Sequence, residues 1–191
     1  MNYNKIVEAL KKWDHLGVKR YPNGDVAYGK PSQNKGWGWL HEVAASIDDT
    51  LIAGFEKDNS FTQGYKHIKA LYQCNGVNLF SGGLILYGLD LAGPFETAVL
   101  PFDIVTHNIE LSCIAKKYDG LFVGGANFEY TTIDYLETRN GELLAINRTS
   151  EKVVHQWDDF GDFFTSEFNR LDEIFDDCGK PPPDYESRMY S

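Results

Sequence analysis

The sequence predicts an α+β fold: a mainly antiparallel, or mixed, sheet of about six strands with helices packed chiefly on one face. Three observations predict it. Helical patterns come first along the chain, strand-like segments fill its middle, and one amphipathic helix follows the last strand. A sheet with one apolar face and a helix with one apolar stripe can bury each other, so the segment 130–175 should form the core.

The middle of that segment is a β-meander around the pair Asn140-Gly141. This pair favours a type I′ hairpin turn, which needs positive φ at both central positions. Apolar residues alternate before it at Ile133 and Tyr135, and after it at Leu144 and Ile146. A second turn at 149–151 leads to a third strand. The residues predicted to share one face of that strand are Val153, His155 and Trp157.

An amphipathic helix follows the third strand. Asp158 and Asp159 are candidate N-caps, because a carboxylate can accept hydrogen bonds from the first free N–H groups of a helix. Apolar residues then recur at spacings of three and four, which is typical of a helix with one buried stripe. The predicted stripe consists of Phe160, Phe164, Phe168, Leu171 and Phe175.

The earlier elements have weaker signals. The spacing predicts helices over 4–13 and 40–47, and another that faces inward through Tyr65 and Ile68 and ends at Asn75-Gly76. The segment 84–87 reads as a strand, whereas 103–115 fits either a short helix or an edge strand. Residues 16–38 are polar and glycine-bearing, which indicates an irregular extension with one short hairpin.

The length of 191 residues fits one domain, and the 14% aromatic content excludes a disordered chain. We expect a single domain over 1–178, made of an N-terminal extension (1–39) and a core (about 40–178). A flexible, proline-bearing tail should follow at 179–191. No apolar run approaches the roughly 20 residues of a membrane span, and no signal peptide is visible at the N-terminus. These features predict a cytoplasmic protein with no membrane partner.

The net charge of −10 is unevenly distributed. From Asp134 onward there are 14 acidic and 6 basic residues, a net of −8, whereas the preceding part has a net of −2. Nucleic acid is disfavoured as a partner, because phosphate binding needs a basic face. A basic protein partner is compatible with this balance, although acidic surfaces also serve solubility alone.

Catalytic and metal-binding patterns are not found in the sequence, which predicts neither cofactor nor metal. The three cysteines have no CxxC spacing and are expected to be reduced and mostly buried. The run His41-Glu42-Val43-Ala44-Ala45 starts like a zinc-protease helix but has Ala where the second ligand must stand. His155 is the histidine nearest a carboxylate cluster. A small enzyme that uses a carboxylate pair with His155 is therefore the least favoured of three hypotheses.

Two segments resemble the SUKH superfamily. The closing strand ends in Trp157 and is followed by Asp158-Asp159-Phe160-Gly161-Asp162-Phe163-Phe164 at the start of the final helix. Upstream, 71–76 ends in the Asn75-Gly76 turn and 84–88 supplies the short strand. The resemblance covers about 40–177 and implies a six-stranded architecture. The family includes bacterial immunity proteins against secreted polymorphic toxins and a fungal regulator of cell-wall synthesis.

The favoured hypothesis is a non-catalytic binding protein, specifically an immunity protein that neutralises a cognate toxin by occluding it. The alternative, which the fungal relative implies, is a regulatory or scaffolding adaptor for a cellular protein. Complementary charge would speed the encounter with a basic toxin domain. The partner-binding residues, chosen from charge and from their position beside the meander, are Glu129, Asp134, Tyr135, Glu137, Asp158 and Asp159.

Overall fold

A computed structural model describes residues 3–29, 38–71, 73–90, 98–127 and 132–184. Within these ranges the fold is α+β, with six α-helices and one antiparallel sheet. The helices are Tyr3–Leu10 (α1), Asp49–Asp58 (α2), Lys66–Ala70 (α3), Ile104–Glu110 (α4), Ser112–Lys117 (α5) and Phe160–Ile174 (α6). The strands are Val18–Arg20 (β1), Val26–Tyr28 (β2), His41–Val43 (β3), Val77–Leu79 (β4), Leu84–Leu86 (β5), Gly120–Asn127 (β6), Thr132–Thr138 (β7), Leu143–Asn147 (β8) and Lys152–Trp157 (β9).

The sheet has nine strands in sequence order, each antiparallel to the next, so the prediction of about six was wrong. Two of the additional strands, β1 and β2, form the short hairpin predicted in the extension, and β2 also pairs with β3, so the extension belongs to the same sheet. A third, β3, lies in 40–47, where the sequence predicted a helix. His41 and Val43 are buried on one side of β3 and pair with β2 and β4, so sheet pairing overrides the local helical pattern.

The β7–β8 hairpin confirms the predicted turn position but not its type. Gly141 donates its N–H to the Thr138 carbonyl (2.9 Å), and Thr138 donates to the Glu142 carbonyl (2.9 Å). Gly141 has φ +87°, whereas Asn140 is not among the residues with positive φ. The loop is therefore a three-residue connection with a left-handed glycine, and the prediction of a type I′ turn was wrong.

The last strand contains a β-bulge that the alternation rule missed. His155 pairs with Ala145, but the next pair along joins Val153 to Ile146, so Val154 is the additional residue. Directly paired residues lie on the same face of a sheet, and adjacent residues of a regular strand lie on opposite faces. Val153 therefore lies on the opposite face from His155. The predicted shared face of His155 and Trp157 is confirmed, and the placement of Val153 on that face was wrong.

Helices lie on both faces of the sheet. On one face, the ring of Trp13, just after α1, lies 5.3 Å from that of His41, and Phe163 of α6 lies 4.7 Å from Tyr135. On the opposite face, which carries Asp134, His107 of α4 stacks on Tyr87 at 4.3 Å. The segment 103–115, whose sequence fits either a short helix or an edge strand, contains α4 and the start of α5 and is helical.

The structure also bears on the predicted cysteines, the predicted tail and the predicted absence of a membrane span. Of the three cysteines, Cys74 is buried but Cys113 and Cys178 are exposed, so the expectation of mostly buried thiols was wrong; all three are free. The predicted flexible tail falls largely on 185–191, which lie outside the described residues. No helix in the described part of the chain is long and apolar enough to cross a membrane.

Candidate functional site

The N-terminal end of α6 brings together three exposed carboxylates. Asp159 is the N-cap, and its carboxylate accepts hydrogen bonds from the backbone N–H groups of Gly161 (2.6 Å) and Asp162 (3.0 Å). These bonds lower the pKa of Asp159, because they stabilise its charged form. Asp158 and Asp162 are also exposed. We call Asp158, Asp159 and Asp162 the acidic end of α6.

The inner side of α6 differs from the predicted stripe. Its fully or nearly buried residues are Phe160, Phe163, Glu167 and Leu171, and Phe175 just after the helix is buried as well. Phe164 and Phe168, which the sequence assigned to the buried stripe, are only half-buried. The helix is therefore rotated so that a glutamate takes a place at which a phenylalanine was expected.

Hydrogen bonding explains why Glu167 is buried. The Tyr135 hydroxyl donates to Glu167 Oε2 (3.2 Å), and Arg170 donates to the same oxygen through Nη2 (2.7 Å). A buried carboxylate is stable only when such donors replace the water that it loses. Tyr135 also contacts Phe163 and Trp157, with ring centroids 4.7 and 6.1 Å away, so it belongs to the core.

Three residues of the predicted partner surface are buried, which corrects that prediction. Tyr135 and Asp134 have no exposed surface, and Glu137 is 1% exposed. Asp134 pairs with Arg148, which donates to Oδ2 through Nε (2.8 Å) and to Oδ1 through Nη2 (2.5 Å). This pair raises the pKa of Arg148. A partner cannot contact these side chains unless the fold opens.

Glu137 caps α3 from a distant strand. Its carboxylate accepts hydrogen bonds from the backbone N–H groups of Lys66 (2.8 Å) and His67 (2.9 Å). The residue before α3, Tyr65, offers no side-chain cap of its own. Free N–H groups at a helix start need acceptors, so Glu137 has a structural role. Burial raises its pKa, although the two hydrogen bonds oppose the shift.

Of the six predicted surface residues, two remain available for binding. Asp158 and Asp159 are exposed at the acidic end of α6, and Glu129 lies outside the described residues. Asp162 was not among the predicted residues, although its place three positions after the N-cap is visible in the sequence.

An apolar groove of about 370 Å³ adjoins the acidic end of α6. Its walls come from α1, from α6 and from the turn after α3. We call it the α1–α6 groove. The contribution of α1 is not predictable from the sequence, because no local pattern shows which helix lies beside α6. The lining residues are Lys5, Ile6, Ala9, Gln73, Phe160, Gly161, Phe164, Thr165 and Phe168.

A second cavity, of about 430 Å³, lies between the β3–α2 connection and residues 98–101. Its buried carboxylate, Asp25, accepts hydrogen bonds from Ala45 N (2.7 Å), Val99 N (2.6 Å) and Asn23 Nδ2 (2.7 Å). All three donors belong to the protein itself. Asp25 therefore holds three chain segments together.

The histidines divide into buried and accessible ones. His67 Nε2 lies 2.8 Å from the Tyr87 carbonyl, and His41 Nδ1 accepts from Phe80 N (3.3 Å). Burial lowers the pKa of His67 to about 4 and that of His41 to about 3, so both rings are neutral near pH 7. His155 is exposed, and its ring contacts that of Trp157 in a tilted arrangement, with centroids 4.5 Å apart. Within the described ranges, no three His, Cys, Asp or Glu residues are grouped as metal ligands.

Comparisons with protein-family models, with curated proteins and with solved structures found no match. The resemblance to the SUKH superfamily therefore stays a prediction from the sequence. The acidic end of α6 and the α1–α6 groove are the two surface features on which a functional proposal can be built.

Proposed function

We propose that the protein is a non-catalytic binding protein that acts as an immunity protein, with the acidic end of α6 as part of its binding surface. One observation carries the proposal: three exposed carboxylates occur within five consecutive residues, where β9 ends and α6 begins. None of them forms an ion pair with another described residue. They are thus available to a basic partner.

The surroundings of the acidic end also support a contact surface. Residues 152–156 of β9 are exposed, including Val153 (39%) and Val154 (37%). Exposed apolar side chains next to a charged rim are typical of protein-binding surfaces. The buried acids Asp134 and Glu137 have structural roles, which leaves the exposed ones as the candidates for binding.

The proposed mechanism is occlusion of a basic toxin domain. Carboxylates at the rim attract a basic partner over several ångströms and speed the encounter, whereas apolar contacts slow its release. No bond is made or broken. The β9–α6 segment resembles the SUKH superfamily, and this resemblance suggests that the partner is a bacterial polymorphic toxin.

The test uses the gene next to this one. If that gene encodes a secreted protein with a C-terminal toxin domain, co-expression of the present protein should restore growth to cells that make the domain. The charge-reversed variant Asp158→Lys/Asp159→Lys should protect less well. The chain offers a matched control, Asp48→Lys/Asp49→Lys, because Asp48 likewise caps an exposed helix, α2.

Each outcome has a defined meaning. Protection that is lost in the Asp158/Asp159 variant and kept in the Asp48/Asp49 variant supports the proposal. Equal loss in both variants would show that total charge, not this surface, matters. Failure of the unchanged protein to bind or protect against the domain would refute the immunity function and leave the adaptor hypothesis.

A further inference from the structure

We infer that the α1–α6 groove binds an apolar anchor of the protein partner, in a segment whose basic residues face the acidic end of α6. This inference rests on the proposed function, because it names the chemistry of the partner at the same surface. In this inference Phe164 and Phe168, which are only half-buried, form the apolar wall that contacts the partner.

The aromatic lining is prearranged for an apolar side chain. Phe164 and Phe168 stack on each other, with ring centroids 6.1 Å apart and planes 28° apart. Phe168 is fixed from behind by Phe80 at 5.6 Å, and Phe160 is fixed by Phe163 at 5.7 Å. Rings held in place by the core lose little conformational freedom on binding, which favours affinity.

The volume of the groove suits side chains of a peptide segment. About 370 Å³ lies near the lower end of the range for pockets that enclose small ligands. Interfaces commonly gain most of their affinity from a few residues, often Trp, Tyr or Arg, that occupy well-packed pockets. An amphipathic helix with its apolar row in the groove is one common way to present them.

Charge at the groove determines the kind of partner. Gly161 lines one end, between Asp159 and Asp162 of the acidic end of α6. Lys5 lies on the α1 wall. A segment that is basic beside α6 complements the three carboxylates. A second copy of this chain is a poorer occupant, because each copy has a net charge of −10 and the two would repel.

The experiment measures binding of a defined peptide by fluorescence anisotropy. The probe is an amphipathic helical peptide of about 15 residues, with Leu and Trp on one face and Lys elsewhere. Two comparison peptides replace the Leu and Trp residues by Ser, or the Lys residues by Glu. We expect the basic amphipathic peptide to bind at least tenfold more tightly than either.

Two groove variants have matched controls outside the groove. Phe164→Ser removes an apolar wall. Ile109→Ser removes, among the described residues, the most exposed large apolar side chain, which is 65% exposed on α4. Ala9→Arg fills the groove from an exposed position on α1, and Ala53→Arg makes the same change at an exposed position on α2. We expect the first of each pair to weaken peptide binding at least tenfold and the second to leave it unchanged. Ala9→Arg keeps the test valid if Phe164→Ser does not fold.

Failure of the inference is distinguishable from failure of the proposed function. Equal binding of the peptide by the groove variants and their controls would overturn the inference. Equal binding of the Ser-substituted peptide would exclude an apolar anchor, and equal binding of the Glu-substituted peptide would exclude a basic partner. A neighbouring toxin domain that is neutralised equally by the Ala9→Arg variant would overturn the inference while the immunity function stands.

Discussion

The two sides of α6 have similar aromatic residues but differ in how deeply these residues are buried. The inner side buries Phe163 and Leu171 against the sheet and closes a hydrogen-bond network at Glu167. The outer side places Phe164 and Phe168 in the α1–α6 groove. Each of these residues comes directly after a buried residue of the inner side. Aromatic content alone therefore does not show which side of a helix is buried in the core.

The acidic residues of α6 differ between its inner side and its N-terminal end. Glu167, on the inner side, has donors from both the sheet and its own helix. Asp159 and Asp162, at the start of the same helix, are exposed. Glu167 is therefore hydrogen-bonded within the core, whereas the carboxylates at the acidic end are exposed, although Asp159 also has a structural role as the N-cap of α6.

The largest expected effect is on the inner side. Phe163→Ala should lower the free energy of unfolding by about 3–5 kcal/mol, because it leaves a cavity between Tyr135 and Trp157. Chemical denaturation followed by circular dichroism measures this. A loss below roughly 1 kcal/mol would mean that Phe163 is not part of the core, and the comparison would fail.

Acid should have the next largest effect, because it destabilises the core around two buried histidines. His67, whose ring lies 5.6 Å from that of Phe160, and His41 have pKa values lowered to about 4 and about 3. In the unfolded chain the histidine pKa is near 6.5. Below pH 6.5 and above the lowered pKa values of the folded state, the unfolded chain therefore binds protons at these histidines and the folded chain does not. Stability should therefore fall as pH falls below about 6.5, by roughly 1.4 kcal/mol per pH unit for each histidine.

Melting temperatures between pH 7 and 5 check this, since most carboxylates titrate lower. Replacing both histidines by Gln should flatten the dependence over that range. A melting temperature of the unchanged protein that is constant from pH 7 to 5 would show that the two rings are accessible to protons in the folded state.

The polar part of the inner side should have an intermediate effect. Glu167→Ala should cost about 2–3 kcal/mol, because it leaves the buried Tyr135 hydroxyl and the Arg170 guanidinium without this acceptor. Glu173→Ala, an exposed position on the same helix, is the control and should change stability by less than about 0.5 kcal/mol. Equal stability of the two variants in thermal denaturation would contradict the role given to Glu167.

Elements with strong local signals could be predicted from the sequence. The hairpin at Asn140-Gly141 and the N-cap at Asp159 lie where their residue types favour them. The first three strands have three residues each, which is too short for an alternation to be recognised. Only pairing with neighbouring strands defines them.

Three of the six predicted partner-binding residues, Asp134, Tyr135 and Glu137, are buried for a different physical reason. In an exposed sheet, polar residues such as Asp134 and Glu137 point to solvent, but here helices cover both faces. Their partners are distant along the chain: Arg148 is 14 residues from Asp134, and Lys66 is 71 residues from Glu137. A local sequence pattern does not predict hydrogen bonds between residues that are far apart along the chain. Asp158 and Asp159, at the junction of two elements, are exposed as predicted.

The outer side of α6 should tolerate truncation better than the inner side. Phe164→Ala should cost about 1–2 kcal/mol, less than a fully buried ring, because the side chain is half-buried and leaves an open groove rather than a closed cavity. Denaturation of this variant beside Phe163→Ala gives the contrast directly. If the two variants are equally destabilised, the outer row belongs to the core and is not a binding surface.

The smallest effect on stability, and a large one on binding, is expected at the acidic end. Asp158→Lys should change stability by no more than about 0.5 kcal/mol, whereas Asp159→Lys should cost about 1 kcal/mol because it removes an N-cap with two backbone hydrogen bonds. If a basic toxin domain binds here, association should slow as salt rises. Charges at the rim of an interface act mainly on the rate of encounter, and salt screens them within ~8 Å at physiological ionic strength. The doubly reversed variant should associate more slowly and with a flatter salt dependence, which stopped-flow mixing at several salt concentrations measures. Because Asp158→Lys leaves the cap intact, slower association in that single variant would separate the electrostatic contribution from any loss of helix structure. A rate for the unchanged protein that does not vary with salt would remove electrostatic attraction from the mechanism.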